Sequence, residues 1–221
     1  MPNLIIFGAK EIAEVAHFYF SRDSQYTVKA FTVDADYMDS SLFQGLPVIP
    51  FAEIEQRFPA KDFAMFIALG YGKINESRKK KYLQAKSLGY RLASYLCSKS
   101  FHWGTNPIGD NTMILESVVI QPFVSIGNNV FIWSGSHIGH HATIKDHSFI
   151  TSHVVIGGGT EIGEQCFLGI NSTVRDHIKV ADRSIIGAGA IIMNDAPADG
   201  IYVCESTGLA PVSPGINQRV L

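Results

Sequence analysis

A chain of 221 residues with 46% hydrophobic and 17% charged side chains holds enough apolar content for one full core or two small ones, which excludes an intrinsically disordered protein. Eighteen basic residues against twenty acidic ones leave a formal charge of −2, too small a field to gather nucleic acid or an anionic membrane. Three widely spaced cysteines, Cys97, Cys166 and Cys204, make neither a disulfide framework nor a CxxC metal pair, so a reducing, cytoplasmic setting is expected. The opening MPNLIIFGAK has no basic region before its apolar run, and no segment nears the roughly twenty apolar residues of a membrane span, so neither an export signal nor a membrane partner is expected.

The first half alternates strand and helix patterns. Asn3 to Phe7 is a short apolar run, Gly8 marks a turn, and Ala9 to Tyr19 carry apolar residues at helical spacing. Strands are predicted at Tyr26 to Phe31, Pro47 to Ile49, Phe63 to Leu69 and Tyr90 to Leu96, and helices at Phe51 to Arg57 and Asn75 to Leu88, the last stopped by Gly89. Such alternation predicts a small, parallel, Rossmann-like α/β domain over residues 1–96, with 97–107 as a linker.

From residue 108 the grammar changes. Every sixth residue from Ile108 to Ile192 is aliphatic, twelve of them isoleucine with Leu168, Val174 and Val180 completing the series, and fifteen hexads run without an insertion. Four residues after each aliphatic comes a small or β-branched one, from Thr112 and Val118 through Ala142 and Cys166 to Ala196. Glycine directly follows the aliphatic at Gly109, Gly127, Gly139, Gly157, Gly163, Gly169 and Gly187, where a chain turning a corner would use it. Sandwich strands vary in length and lose register at each loop; these do not. A six-residue unit makes one flat side of a triangular coil, so eighteen residues close one rung and stack their aliphatics in an interior ladder. Residues 108–198 are therefore predicted to form a parallel β-helix of about five coils. Its open ends need covers, which the α/β domain and the tail at 199–221 would supply.

At these residues the chain resembles the left-handed β-helix, hexapeptide-repeat acyltransferases. Within them it is similar to the sugar acyltransferase branch that includes sialic acid O-acetyltransferases and bacillosamine and perosamine N-acetyltransferases. The most specific segments are CFLGINSTV, Cys166 to Val174, and IIGAGAII, Ile185 to Ile192. The resemblance covers nearly the whole chain, because that branch also places a Rossmann-like domain before its β-helix. It implies a homotrimer with acetyl-CoA as acyl donor in the cleft between neighbouring β-helices, no metal, and a nucleotide-linked sugar on the N-terminal domain.

Carried over residue by residue, the resemblance puts the catalytic general base at His140, in HIGHHATI, with His141 beside it where relatives have an acidic residue. An imidazole suits proton removal at neutral pH. Rung arithmetic sets His140 between Pro122 and Gly158. Backbone at Gly158, as oxyanion donor, and at Ile170 and Ala188, along the pantetheine arm, matches the family's cofactor-binding positions; Ala188 stands where relatives have glycine. For the substrate, the resemblance points to Gly8, Ala9 and Lys10, although a GASGHGK-like loop is reduced here to Gly8 followed by Ala9, Lys10 and Glu11. Asp34 and Asp36 follow the second strand, and Gly70 and Tyr71 the fourth, at the edge where open α/β sheets take ligands.

Two features suggest rival chemistry. His141, His147 and His153 fall in the same place of three successive hexads, so they point from three sides of the triangle and do not converge on a metal within one chain. Arg78 to Lys81 lie on one helix with Glu76 four residues before Lys80, the pattern of a solvated face rather than a nucleic-acid site. A non-catalytic β-helix serving as trimeric scaffold or sugar-nucleotide sensor is the alternative from another class, favoured by His141, Glu11 and the tail YVCESTGLAPV, where relatives carry a GxPAK-like loop. The expected activity is N-acetylation of a nucleotide-linked amino sugar for a surface polysaccharide, with O-acetylation as the nearest alternative.

Overall fold

The structure is a computed structural model that describes residues 1–104 and 106–208. Its N-terminal part contains β1 (Asn3–Phe7), α1 (Glu11–Arg22), β2 (Thr27–Val33), β3 (Leu42–Phe43), β4 (Leu46–Pro50), α2 (Ile54–Arg57), β5 (Phe63–Ile67), α3 (Glu76–Ser87) and β6 (Arg91–Leu92). The sheet order is β3-β4-β2-β1-β5-β6, parallel except for the β3–β4 hairpin at its edge. Central β1 reads as a continuous apolar run because both of its faces are covered. Leu4 and Ile6 pack with Ala13, Ala16 and Phe20 of α1, while Ile5 and Phe7 pack with Ile54 of α2 and Tyr82 and Ala85 of α3. The hairpin is an element the sequence pattern did not include. Its turn is Gln44–Gly45, both at positive φ (48° and 76°), the geometry of a tight two-residue hairpin loop without the usual Asn-Gly signature.

The strand predicted over Tyr90 to Leu96 divides. Arg91–Leu92 pairs with β5, whereas Tyr95–Leu96, β7, pairs with Met113–Ile114, the first strand of the β-helix. Phe101 then bridges to Val119 and Ile108 to Ile126, so coil geometry already begins within 95–107.

The hexads form the parallel β-helix they predict, left-handed as the resemblance implies, and its rungs run from Tyr95 to Tyr202. Two-residue strands stack in three faces of seven, five and four strands, and partners lie eighteen residues apart, as in Ile126↔Ile144 and Ile138↔Ile156. The ladder aliphatics and the small residues four positions on form one buried cluster from Ile114 to Ala196; each fully buried isoleucine contributes about 1.5–3 kcal/mol relative to an exposed one. The role expected for the glycines needs correction. The left-handed backbone falls three residues after every ladder position except Ile192, at Asn111, Phe123, His141, His147, His153 and His177 among others. The glycine one residue after the ladder instead permits close approach of the next coil: a Cβ on Gly139 would lie 2.5 Å from the backbone nitrogen of Gly158.

The seven-stranded face is docked under the α/β domain. Its outward residues Met113, Phe131 and Phe149 are buried in the α1-side core, with Phe66 stacked on Phe131 at 5.6 Å between ring centroids. The α/β domain thus covers a side of the β-helix as well as its first coil. Here the solvated-face reading of Arg78 to Lys81 is overturned. Arg78 is fully buried, lies over Phe131 and Phe149, and donates to the carbonyls of Asn129, His147 and Ser148 and to Asn129 Oδ1 at 2.9–3.3 Å. Burial lowers its pKa to about 9, which still leaves it cationic at neutral pH. Lys79 binds Glu164 and Gln165, and Glu76 accepts from Gln165 at 3.0 Å rather than pairing with Lys80. The helix is charged because its partner is a polar corner, Asn129, His147 and Gln165, whose left-handed backbone turns carbonyls and amides outward. At the other end Ile201–Tyr202 pairs with Ile185–Ile186 and extends the docked face; residues 209–221 of the expected C-terminal cap lie outside the described residues.

Candidate active site

His140 sits in the turn Gly139–His140–His141 that leaves the strand His137–Ile138. Its backbone N–H donates to Gln121 Oε1 at 2.8 Å. Its ring lies over Gly158, where a Cβ would come within 2.7 Å of Cε1 and 2.8 Å of Nε2, so the rung arithmetic holds and a side chain at Gly158 would have to displace the imidazole. His141, at φ 60°, puts its Nδ1 3.1 Å from Nδ1 of His140, and the Phe123 ring packs on it at 4.6 Å between centroids. Two nitrogens at that distance share one proton. Either ring can donate; when His140 Nδ1–H is the donor, His141 accepts on Nδ1 and carries its own proton on Nε2, and His140 Nε2 keeps a free lone pair on the Gly158 side. Gln121 and Phe123 were not picked out from the sequence, although Phe123 is eighteen residues before His141 and the rung period alone pairs them.

The backbone amides two residues past the ladder differ in what caps them. At the corner under α3, Asp110, Asn128 and Glu164 donate their N–H groups to Asn128, Asp146 and Asp182 side chains at 2.8–3.0 Å. At the other two corners, the N–H groups of Gly158, Ile170 and Ala188 make no hydrogen bond among the described residues. Gly158 lies on one of these corners with His140, and Ile170 and Ala188 lie on the other. Both border the same five-stranded face, whose outward Val155 and Ile191 are exposed. Ligand-covered N–H groups need partners, and these three are open beside the five-stranded face, as are those of Glu116, Ser134, Ser152 and Asp176 on the same two corners.

The second feature is a cleft of about 1190 Å³ at the carboxyl ends of β1, β2 and β5, the switch-point edge of an open α/β sheet. Gly8, Ala9, Lys10, Asp34 and Gly70 all line it. Gly8 adopts φ +125°, and a Cβ there would approach the Ala68 carbonyl oxygen to 2.8 Å, so its first duty is the sharp strand-to-helix turn. Lys10 caps α1 without a side-chain bond to it, which leaves first-turn amides open toward the cleft. Two expected contacts lie elsewhere. Asp36 sits on the exposed turn Ala35–Tyr37, and its neighbour Tyr37 lines the cleft instead. Tyr71 packs its ring on Phe149 and Phe167 of the β-helix, at 5.2 and 4.7 Å. Asp34 is bound by Lys81 at 2.5 Å. Lys73 and Lys80, which sequence reading did not single out, also line the cleft.

The coil histidines have separate structural roles. Asn129 Nδ2 lies 2.9 Å from Nδ1 of buried His147, and burial lowers that imidazole's pKa. The rings of His153 and His177 cover Gly135 and Gly159. Left-handed backbone tolerates histidine better than most residues, which accounts for their crowding. Among the described residues no group of three or more His, Cys, Asp or Glu side chains could hold a metal ion.

Comparison with known proteins adds to this geometry. The bacterial transferase hexapeptide family, with its six repeats, matches residues 108–140, 123–158 and 159–194. No curated protein matches the sequence. Among solved structures, a mutant of perosamine N-acetyltransferase from Caulobacter crescentus in complex with CoA and GDP-perosamine is similar with a TM-score of 0.82 at 21% identity, covering 91% of this chain and 93% of that one. The acetyltransferase domain of PglB from Neisseria gonorrhoeae gives 0.79 at 22% identity over 89% and 94%. WeeI from Acinetobacter baumannii gives 0.56 at 17% identity over 91% and 96%. The two-part architecture, and not the β-helix alone, is shared with these structures.

Proposed function

We propose that this chain, whose residues 108–194 are bacterial transferase hexapeptide repeats, is a cytoplasmic acyl-CoA-dependent acyltransferase that N-acetylates a nucleotide-linked amino sugar for a surface polysaccharide. The carrying observation is the His140 imidazole, lying over Gly158 with its Nδ1 3.1 Å from Nδ1 of His141, beside a Gly158 N–H with no hydrogen bond among the described residues. That CoA and GDP-perosamine are bound by a structure of the same architecture supports the choice of donor and acceptor.

In this reading the donor lies along the five-stranded face. The N–H groups of Ile170 and Ala188 bind amide oxygens of its pantetheine arm, and the thioester carbonyl is directed at Gly158. Because His140 and Ile170 stand on different corners of one triangle, the donor is held between copies of the chain, and the exposed apolar residues of this face support a homotrimer built around it. The sugar amine attacks the carbonyl carbon while His140 Nε2 accepts its proton. The developing oxyanion takes a hydrogen bond from Gly158 N–H. Collapse breaks the C–S bond, and His140 returns the proton to the departing sulfur. His141 accepts from His140 Nδ1 throughout and holds the ring in the productive tautomer.

The His140–His141 contact also favours a second reading, O-acetylation, because a hydroxyl needs a positioned base more than an amine does. A thiol-release assay with acetyl-CoA and UDP-, dTDP- and GDP-linked 3- and 4-amino sugars, each beside its hydroxyl counterpart, tests both. Turnover with an amino sugar carries the first reading and turnover with hydroxyls alone the second. No turnover with any acceptor, together with no effect of CoA on the trimer's stability, leaves the scaffold.

A further inference from the structure

We infer that the diphosphate of the nucleotide-linked substrate is held by Lys73 and Lys80 across the cleft from Lys10, a cationic clamp that takes over from a glycine-rich turn. This rests on the reading of the acceptor as nucleotide-linked and names the groups that would bind its charged centre.

The turn ahead of α1 is poorly equipped for that work alone. It has one glycine, whose N–H is already bonded to the Thr32 carbonyl at 2.8 Å, and the first residue of α1 is Glu11, which lines the cleft and repels a phosphate. The opposite wall is the loop from Gly70 to Asn75. Lys73, Ile74 and Asn75 are three successive residues at positive φ, 53°, 52° and 64°, with no glycine among them. Such a run is unfavourable for L-residues and persists only when its surroundings fix it. Here they do. Buried Asn75 donates through Nδ2 to the Cys166 carbonyl at 3.0 Å, its N–H bonds the Tyr71 carbonyl at 3.1 Å, and Tyr71 is packed on the β-helix aromatics. Asn75 Oδ1 is buried without a partner among the described residues, a further cost of this backbone. The strained turn has one result on the cleft side: Lys73 lines the wall, with Lys80 a little over one turn into α3.

Charge accounting within the cleft gives the same assignment. Lys81 is engaged by Asp34 and Glu76 by Gln165. Lys10, Lys73 and Lys80 have no anionic partner among the described residues. Cations on two facing walls suit an anion with charge at two centres, as in a diphosphate, better than a single carboxylate.

Isothermal titration of the full chain at low salt, with inorganic pyrophosphate and with UDP, GDP and dTDP, compares wild type with Lys73→Gln, Lys80→Gln and the double variant. The side chains are exposed, so folding is kept, and melting curves check this. Each single variant is expected to weaken pyrophosphate and the preferred nucleotide about tenfold, the scale of one charge-assisted contact. Lys73→Arg should restore most of the loss, raised salt should shrink every difference, and affinity for CoA should not move. If wild type and the double variant bind a nucleoside diphosphate equally, the clamp is wrong while the nucleotide reading stands. If no nucleoside diphosphate binds wild type but pyrophosphate binding follows the lysines, the nucleotide reading falls and the clamp stands. If none of these ligands binds wild type, both are overturned.

Discussion

The three corners of the β-helix are built from the same six-residue unit and differ in what the next coil offers their backbone amides. Under α3, side chains from the next coil cap the N–H groups: Asn128 serves Asp110, Asp146 serves Asn128 and Asp182 serves Glu164. At the corners flanking the five-stranded face the same register position holds Gly158, Ile170 and Ala188, none of which caps a neighbour or is capped itself among the described residues. The corner under α3 caps three of its donors with side chains of the next coil and leaves Asp146 and Asp182 N–H open among the described residues. A corner that leaves donors open beside a histidine and an exposed apolar face is shaped for a ligand, and the difference lies in side chains two residues past the ladder rather than in the ladder.

Substitutions at matched positions test that contrast. The largest effect is expected from His140→Ala, with kcat on a hydroxyl acceptor down about 100- to 10,000-fold, the usual worth of a general base, and a smaller loss on an amine; steady-state kinetics with paired acceptors reads both. Gly158→Ala keeps the amide but drives a methyl into the imidazole, and a misplacement of that size costs about 100-fold in kcat. CoA binding to this variant should change little, which separates lost alignment from lost affinity. Asp146→Ala, on the capped corner, should leave kcat and CoA affinity unchanged and lower stability by about 1 kcal/mol through the exposed Asn128 amide, measured by chemical denaturation. Equal kinetic losses at Asp146 and Gly158 would erase the distinction between the corners.

The β-helix was legible in the sequence because its period never breaks: one register fixed fifteen ladder positions, the eighteen-residue neighbours and the placement of His140 over Gly158. Backbone conformation was not legible. Glycine after the ladder suggested the corner, yet the left-handed residues are His141, His147, His153 and others three positions on, and glycine serves close approach between coils. The docking of α3 was hidden for a different reason. Arg78 to Lys81 read as a solvated stripe when only the helix is considered, and their partners, Asn129, His147 and Glu164, are 51 to 85 residues away. The cleft was half legible: Gly8, Lys10 and Asp34 follow strand ends, but Lys73 is presented by a strained turn without glycine, which leaves no local signature. Tyr71 follows the fourth strand as expected and then turns its ring to the β-helix, where Phe149 and Phe167 outcompete the cleft for it.

Amide hydrogen exchange on the full chain, with and without CoA, measures the contrast between corners most directly. CoA should slow exchange at Gly158, Ile170 and Ala188 and leave Asn128 and Glu164 unchanged. Protection confined to the Asn128 and Glu164 corner, or no protection at Gly158, Ile170 and Ala188 at saturating CoA, would contradict the assignment of the open corners to the acyl donor.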